Sequence, residues 1–263
     1  MNYFDLAYTT SDVLEKIKIA EQKGDFSCHL DPIDYESSEP VTDRFPYKPG
    51  FFLNLLYGFR KFYFLNNFIK KLNEEVFKTK VVGSENLKNV KSAVFICNHV
   101  NKFDALVVNY AIPNKKIKIM VADFNNRKGF LGKMMRADGI LPFKNTKECI
   151  KKFNDAVKFY LSHNQSVLFF PEGSEWWCYK RPRAMMDGAF HYAVQCNVPV
   201  VPLFITFTES GRVRNDVDLP YFTLNILPSI YPEQNKSKSE NSAILKQKSE
   251  KAWQDCYNLF YSE

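Results

Sequence analysis

The sequence lacks the features of a membrane-spanning or secreted protein. None of its apolar runs approaches the roughly 20 residues that a transmembrane helix requires. The first residues, MNYFDLAYTTSDVLEK, have neither the basic start nor the apolar core of a secretory signal. The six cysteines are irregularly spaced, without a CxxC pair or a CxxC and HxxxH ligand set. We therefore expect a cytoplasmic protein, a reducing compartment, no disulfide framework and no metal site.

Several common catalytic motifs are also missing. The sequence contains no GxGxxG, GxxxxGK[ST], GxSxG or HExxH motif. These motifs mark dinucleotide-binding folds, P-loop enzymes, serine hydrolases with a nucleophile elbow, and zinc peptidases, respectively. Their absence argues against all four classes.

Charge is divided unevenly along the chain. The net charge is +7, but the first 43 residues carry ten acids against three lysines, which leaves about +14 on the remaining 220 residues. Such an excess indicates a polyanionic partner, either an anionic membrane surface or a nucleic acid. Because no nucleic-acid-binding motif is present, we expect the membrane surface and no nucleic acid.

The first 50 residues are predicted to form an acidic appendage. Residues 12–23 have the apolar spacing of a short amphipathic helix, and Gly24 is placed to end it. The stretch 25–50 contains four prolines among many acids, which predicts an extended connector.

Residues 51–80 differ from both neighbours. The stretch FFLNLLYGFRKFYFLNNFIKKLNEEVF (51–77) mixes bulky apolar residues with the pairs Arg60-Lys61 and Lys70-Lys71. This pattern is typical of an interfacial helix, whose apolar face enters the headgroup region while its cations meet anionic lipid. The alternative is a helix that packs on the main domain.

Residues 81–263 alternate short apolar runs with amphipathic stretches. We therefore predict an α/β domain with a mostly parallel central sheet flanked by helices. The candidate strands are 93–97, 117–121, 140–143, 167–170, 200–207 and 222–227, and the candidate helices are 104–112, 130–136, 147–162, 184–196 and 243–261.

A histidine and an acid follow the first strong strand. In Asn98-His99-Val100-Asn101-Lys102-Phe103-Asp104, the imidazole and the carboxylate lie five residues apart, beyond the carboxyl end of the strand. Ligands of α/β sheets bind at that edge. An imidazole has the pKa of a general base, and a carboxylate on its other nitrogen fixes the tautomer.

Three further blocks follow this one. They are GILPF (139–143), FPEGS (170–174) and VPVVPL (198–203). In this order, the four blocks resemble those of the glycerolipid acyltransferase family, which includes the 1-acyl-glycerol-3-phosphate acyltransferases. The resemblance covers about residues 80–210 and implies that His99 is the general base for the acceptor hydroxyl and that Asp104 orients it. It also implies that acyl-CoA or acyl-carrier protein is the co-substrate, with no bound cofactor.

The match to this family is incomplete where the acceptor phosphate should bind. The resemblance assigns acceptor binding to the second and third blocks, here Lys144, Asn145, Glu172, Gly173, Ser174 and Glu175. Phosphate-acceptor members have an arginine at the places of Asn145 and Glu175. Either the headgroup differs from a bare phosphate, or Arg181 and Arg183 supply a relocated clamp.

The resulting expectation is an O-acyltransferase of phospholipid biosynthesis, peripheral on the inner face of the membrane, with a lysolipid acceptor. Two alternatives remain at this point. One is a catalytically dead or regulatory protein that binds a membrane surface. The other is a basic nucleic-acid-binding module.

Overall fold

The computed structural model describes residues 7–113 and 116–261. The helices are α1 (Ser11–Lys23), α2 (Phe51–Arg60), α3 (Asn66–Lys71), α4 (Asp104–Ala111), α5 (Gly129–Asp138), α6 (Lys147–Ser162), α7 (Gly188–Cys196) and α8 (Lys238–Tyr261). The strands are β1 (Lys80–Val82), β2 (Val94–Cys97), β3 (Ile117–Ala122), β4 (Ile140–Phe143), β5 (Ser166–Phe169), β6 (Val200–Thr208), β7 (Val213–Arg214), β8 (Val217–Asp218) and β9 (Tyr221–Ile226). All predicted strands and helices are present; the strand at 140–143 and the helix at 147–162 have the predicted ends, and the others begin or end at shifted residues.

Seven strands form one sheet in the order β1-β9-β6-β2-β5-β3-β4. The five strands from β6 to β4 are parallel to one another. Strand β9 pairs antiparallel with β6, and the edge strand β1 pairs parallel with β9. The prediction of a mostly parallel sheet flanked by helices is confirmed. In the described part of the chain, no helix has the length and apolar content to cross a membrane.

Both faces of the central strands are covered. Val94 and Ile96 belong to one core cluster, and Phe95 and Cys97 belong to the other. Successive side chains of a strand point to opposite faces, so a strand buried on both sides reads as a continuous apolar run. Helices α6, α7 and α8 cover the first face, and α4 with the end of the preceding long helix covers the second.

Residues 51–76 form one long helix with two irregular turns. Helical backbone angles continue at Lys61, Asn66 and Leu72, where α2 and α3 meet π-helical turns spanning Lys61–Leu65 and Leu72–Val76. A π turn accommodates one extra residue without ending the helix. Each such turn rotates the apolar face that follows it relative to the one before.

The two halves of this helix differ in burial. None of the residues of α2 is buried, whereas Ile69, Leu72 and Val76 lie in the core. The first half rests beside α5, where Lys61 Nζ lies 2.9 Å from Asp138 Oδ1. The long helix is therefore anchored to the domain by its second half.

Residues 7–50 pack along the body of the domain. Helix α1 ends at Gly24, which adopts the left-handed conformation predicted for it. Its buried residues Val13 and Ile17 share a core cluster with Trp176 and Trp177. The connector between α1 and α2 lacks helix and strand, but it is packed rather than merely extended: Val41 and Tyr47 are buried, and the Tyr47 hydroxyl donates to the Pro142 carbonyl at 2.7 Å. The domain boundaries at residues 50 and 80 stay predictions.

Candidate active site

The sheet brings two of the sequence blocks together. Strands β2 and β5 are parallel neighbours, with Ile96 opposite Phe169. His99 and Glu172 each follow three residues later, at the carboxyl edge of the sheet. The turn that contains His99 and the turn that contains Glu172 therefore lie side by side.

His99 and Asp104 form a direct pair. His99 Nδ1 lies 2.9 Å from Asp104 Oδ2, and the Asp104 side chain is fully buried while that of His99 is 23% exposed. The same carboxylate oxygen accepts the backbone N–H groups of Val100 and Asn101, at 2.7 and 2.9 Å. Burial raises the pKa of Asp104, and the hydrogen bonds and charge of His99 oppose that rise.

The imidazole is fixed in orientation as well as in position. Its ring stacks on Phe170 with a centroid distance of 4.2 Å. With Nδ1–H donated to Asp104, Nε2 carries the lone pair. The arrangement can therefore take a proton from a group that approaches Nε2.

The third block and the residue Trp176 just after it hold the His99 backbone from both sides. The His99 N–H donates to Glu172 Oε2 at 2.9 Å, and the His99 carbonyl accepts from the Trp176 N–H at 2.9 Å. Asn98 ties the preceding residue to β6, because its side-chain amide accepts from and donates to the backbone of Ile205. The turn that carries His99 is thus bonded to both neighbouring strands or their extensions.

Glu172 is paired with Arg183 inside the protein. Arg183 Nη2 lies 2.9 Å from Glu172 Oε2, and both side chains are 2% exposed. The Arg183 N–H also donates to Glu172 Oε1 at 2.9 Å. Burial raises the pKa of Glu172, and the nearby Arg183 charge opposes the rise.

The remaining residues of the third block have distinct roles. Gly173 has a φ of +81°, a backbone conformation that favours glycine. Ser174 Oγ accepts from Arg183 Nη1 at 3.1 Å. Burial and then the adjacent carboxyl of Asp31 raise the pKa of Glu175 well above its usual range. Glu175 Oε1 is buried without a hydrogen-bond partner among the described residues.

Three of the predicted binding residues lie away from this cluster. Lys144 and Asn145 follow β4, which is separated from β2 by β5 and β3, a distance of about 14 Å across the sheet. Arg181 is exposed, and its Nη1 lies 3.2 Å from Glu21 Oε1. The structure therefore gathers His99, Asp104, Glu172, Ser174 and Arg183, with Gly173 and Glu175 in the same turn.

Cys97 is next to the site but has the properties of a core residue. It is fully buried, and burial raises the pKa of its thiol well above the usual range. A protonated thiol is a poor nucleophile. Within residues 7–113 and 116–261, no three His, Cys, Asp or Glu side chains converge as a metal site.

The N-terminal segment makes contacts with this site that were not predicted from the sequence. Trp176 Nε1 donates to the Cys28 carbonyl at 3.1 Å, and Arg183 Nη1 donates to the Phe26 carbonyl at 3.2 Å. The Phe26 ring also stacks on Trp176, with centroids 5.7 Å apart. The carbonyl contacts are made by backbone atoms about 150 residues away in the sequence. No pattern of side chains in the sequence predicts such contacts.

The chain is similar to known acyltransferases over about half of its length. A family model described as Acyltransferase matches residues 78–206. The chain is 29% identical over 138 residues to an uncharacterised acyltransferase of Schizosaccharomyces pombe, covering 49% of this chain and 47% of that protein. It is 28% identical over 138 residues to the 1-acyl-sn-glycerol-3-phosphate acyltransferase of Limnanthes douglasii, covering 49% and 46%. The chain thus spans about half the length of these curated relatives.

A solved structure shares the fold. It is the 1-acyl-sn-glycerophosphate (LPA) acyltransferase PlsC of Thermotoga maritima, with a TM-score of 0.52 and 15% sequence identity. The superposition covers 78% of this chain and 88% of that one. At this identity the likeness establishes the architecture of the sheet and its helices.

Proposed function

The chain belongs to the glycerolipid acyltransferase family, and we propose that it moves a fatty acyl group from a thioester to a hydroxyl of a lysolipid. The donor is acyl-CoA or acyl-carrier protein. The observation that carries the proposal is the contact of 2.9 Å between His99 and the buried Asp104. A partly exposed imidazole held by a buried carboxylate is the arrangement that a general base requires.

The reaction can be written with these residues in named roles. His99 Nε2 takes the proton of the acceptor hydroxyl while the oxygen attacks the thioester carbonyl. Asp104 accepts the Nδ1–H bond and stabilises the imidazolium that forms. The tetrahedral intermediate then expels the thiolate, which takes the proton from His99, so the products are an ester and a free thiol. The acceptor oxygen is itself the nucleophile, so no acyl-enzyme intermediate is required.

The developing oxyanion needs donors from elsewhere in the site. The N–H groups of Val100 and Asn101 are directed at Asp104, and the N–H of His99 is directed at Glu172. The donors must therefore come from other groups near His99, and backbone N–H groups are the usual choice in acyl transfer.

The acceptor headgroup follows from the charges beside the site. All four Nη hydrogens of Arg183 can be assigned to acceptors within the protein, and Arg181 is at the surface with Glu21. A relocated phosphate clamp built from these two arginines is therefore disfavoured. The carboxyls of Glu175 and Asp31 supply no cation in place of the missing arginine, which disfavours a phosphate monoester further. We propose a lysolipid whose headgroup carries an amine or sugar hydroxyls.

A comparison of acceptors tests this assignment. Lysophosphatidic acid is measured against zwitterionic and glycosylated lysolipids, and the series is repeated with Glu175→Arg. We expect lysophosphatidic acid to be the poorest acceptor of the natural protein and to gain relative to the others in the variant. If lysophosphatidic acid is the best acceptor and Arg181→Ala removes that activity, the clamp hypothesis is correct instead.

The exposed half of the long helix supports peripheral attachment to a membrane. Phe52 is 83% exposed, and the ring of Phe64 meets that of Phe130 on α5. Together these side chains form a surface that we call the aromatic patch: Phe51, Phe52, Leu55, Phe59, Phe62, Tyr63, Phe64, Phe130 and Leu131. A contiguous apolar patch flanked by cations fits an anionic lipid surface. We place the protein on the cytoplasmic face.

A regulatory membrane-binding protein without catalysis is the second candidate, because the aromatic patch alone would support it. Turnover separates the two. Purified protein is mixed with anionic vesicles containing a lysolipid and with acyl-CoA or acyl-carrier protein, and the acylated lipid is detected by mass spectrometry. We expect product, and we expect Asp104→Asn to lower its rate of formation. Binding to the vesicles without product for any donor would favour the regulatory candidate.

A further inference from the structure

The Arg183 side chain is the most heavily bonded polar group near His99. Its guanidinium donates to Glu172 Oε2, to the hydroxyl and carbonyl oxygens of Ser174, and to the Phe26 carbonyl. It also stacks over the Trp176 ring, 4.8 Å from the centroid. A guanidinium with this many partners and only 2% of its side chain exposed serves a fixed local geometry, since it offers a substrate almost no surface.

Arg183 is joined to His99 through a single intervening side chain. Glu172 Oε2 accepts both the Arg183 Nη2–H and the backbone N–H of His99, each at 2.9 Å. Without the Arg183 charge, burial would favour a protonated Glu172, and a protonated carboxyl is a weaker acceptor for the His99 N–H. The charge of Arg183 therefore strengthens the bond that places the His99 peptide.

The N-terminal segment completes the surroundings of Arg183. The carbonyl of Phe26 accepts from its guanidinium, and the Phe26 ring covers the outer side of Trp176. Trp176 in turn donates its Nε1–H to the Cys28 carbonyl and its backbone N–H to the His99 carbonyl. Two routes thus lead from residues 26–28 to the His99 peptide, one through Arg183 and Glu172 and one through Trp176.

We infer that Arg183 is a positioning residue that sets the His99 turn through Glu172, and that residues 26–28 are part of the active site because they complete this arrangement. The inference rests on the proposed role of His99 in acyl transfer. It assigns to the acidic N-terminal segment a task in catalysis that does not require contact with substrate.

The kinetic test separates positioning from substrate binding. Arg183→Lys keeps the charge but cannot reach Glu172, Ser174 and the Phe26 carbonyl together. We expect kcat to fall roughly 10- to 100-fold with KM for donor and acceptor nearly unchanged, because small misplacements of a catalytic base are costly. A rise in KM for the acceptor at constant kcat would show that Arg183 binds substrate and would overturn the inference.

A second variant avoids the buried charge altogether. Phe26→Ala removes the ring from Trp176 but leaves the carbonyl, and we expect kcat to fall several-fold. The matched control is Tyr35→Ala, in the same segment, whose exposed ring meets Phe124 at 6.1 Å and not Trp176. Equal kcat values for the two variants, both at the natural level in folded protein, would contradict a catalytic task for residues 26–28.

A spectroscopic measurement keeps this inference separate from the proposed function. Histidine-labelled protein contains four histidines, and the signal of His99 is identified by its loss in His99→Ala. Arg183→Lys and Phe26→Ala should shift the His99 imidazole signals, while those of His163 and His191 stay in place. Unchanged His99 signals in both variants would overturn the inference even if acyl transfer is observed. Shifted His99 signals in the variants, with no acyl transfer by the natural protein, would contradict only the proposed reaction.

Discussion

The turns at the carboxyl edge of the sheet and the first half of the long helix are stabilised in different ways. His99, Asp104 and Glu172 are each bonded to other groups of the chain. Phe52 and Phe62, by contrast, are 83% and 69% exposed on the helix surface. Folding alone sets the geometry of the first region, whereas the second gains its stabilisation only when another apolar phase covers it. We therefore expect substitutions in the first region to change stability and substitutions in the second to change membrane binding.

The largest effect on stability is expected inside the site. Glu172→Ala leaves the buried guanidinium of Arg183 without its counter-charge, and the loss of one partner of a buried ion pair costs about 3 to 5 kcal/mol. The free energy of unfolding in urea should fall by that amount. The exposed Glu85, replaced by alanine, is the control and should change it little. A small effect of Glu172→Ala would mean that the site is not held by its internal bonds.

Replacement of an aromatic residue of the patch should leave stability intact and weaken membrane binding. Burial of a phenylalanine side chain is worth about 1.5 to 3 kcal/mol, so Phe52→Ala should lower partitioning to vesicles on the order of 10-fold or more. Tyr231→Ala is the control, because Tyr231 is exposed in a loop outside the aromatic patch. Equal partitioning of the two variants in vesicle co-sedimentation would show that the aromatic patch does not contribute to membrane binding.

The carboxyl pair beside the site makes stability depend on pH. The pKa of Glu175 is raised by burial and by Asp31, so the folded state favours the protonated carboxyl. Its contribution to stability is present at low pH and is lost as pH rises above the ordinary carboxyl range. Glu175→Gln should therefore unfold at a higher temperature than the natural protein, by a margin that grows from pH 5 to pH 8. A margin independent of pH would show that Glu175 is ionised throughout.

The smallest effect is expected from a single cation beside the patch. Lys70 is 66% exposed, and its side chain pairs only loosely with Glu74 at 4.0 Å. A lysine near an anionic surface contributes about 1 kcal/mol, and salt screens it. Lys70→Gln should weaken binding to anionic vesicles several-fold and leave binding to neutral vesicles unchanged. The reversal of Lys70 and Lys71 together to glutamate should weaken binding to anionic vesicles further and reduce the preference for anionic over neutral lipid.

Much of the fold could be predicted because local patterns determine it. The central strands are apolar runs bounded by turn residues, and His99 and Asp104 lie close in sequence across one strand-to-helix turn. The pair is therefore almost a local feature. The long helix was also predictable, since its apolar and basic residues recur at helical spacing between Phe51 and Phe77.

The remainder depends on distant contacts that leave little trace in the sequence. Strand β1 has three exposed residues and no periodicity, and β9 pairs antiparallel with β6 in an otherwise parallel part of the sheet, which its own residues do not indicate. Arg183 reads as part of a basic loop, KRPR, and only the path of that loop back toward β5 shows its contact with Glu172. The Phe26 and Cys28 carbonyls are backbone groups, which every sequence supplies.

The measurement that tests the central claim most directly is single-turnover acyl transfer by His99→Ala, with His163→Ala as the matched control. Both variants are first shown to be folded by circular dichroism and bound to anionic vesicles as the natural protein is. Loss of a general base lowers a rate roughly 10² to 10⁴-fold, so His99→Ala should lose that factor while His163→Ala, at an exposed histidine after α6, keeps the natural rate. Unchanged transfer by folded, vesicle-bound His99→Ala would contradict the mechanism.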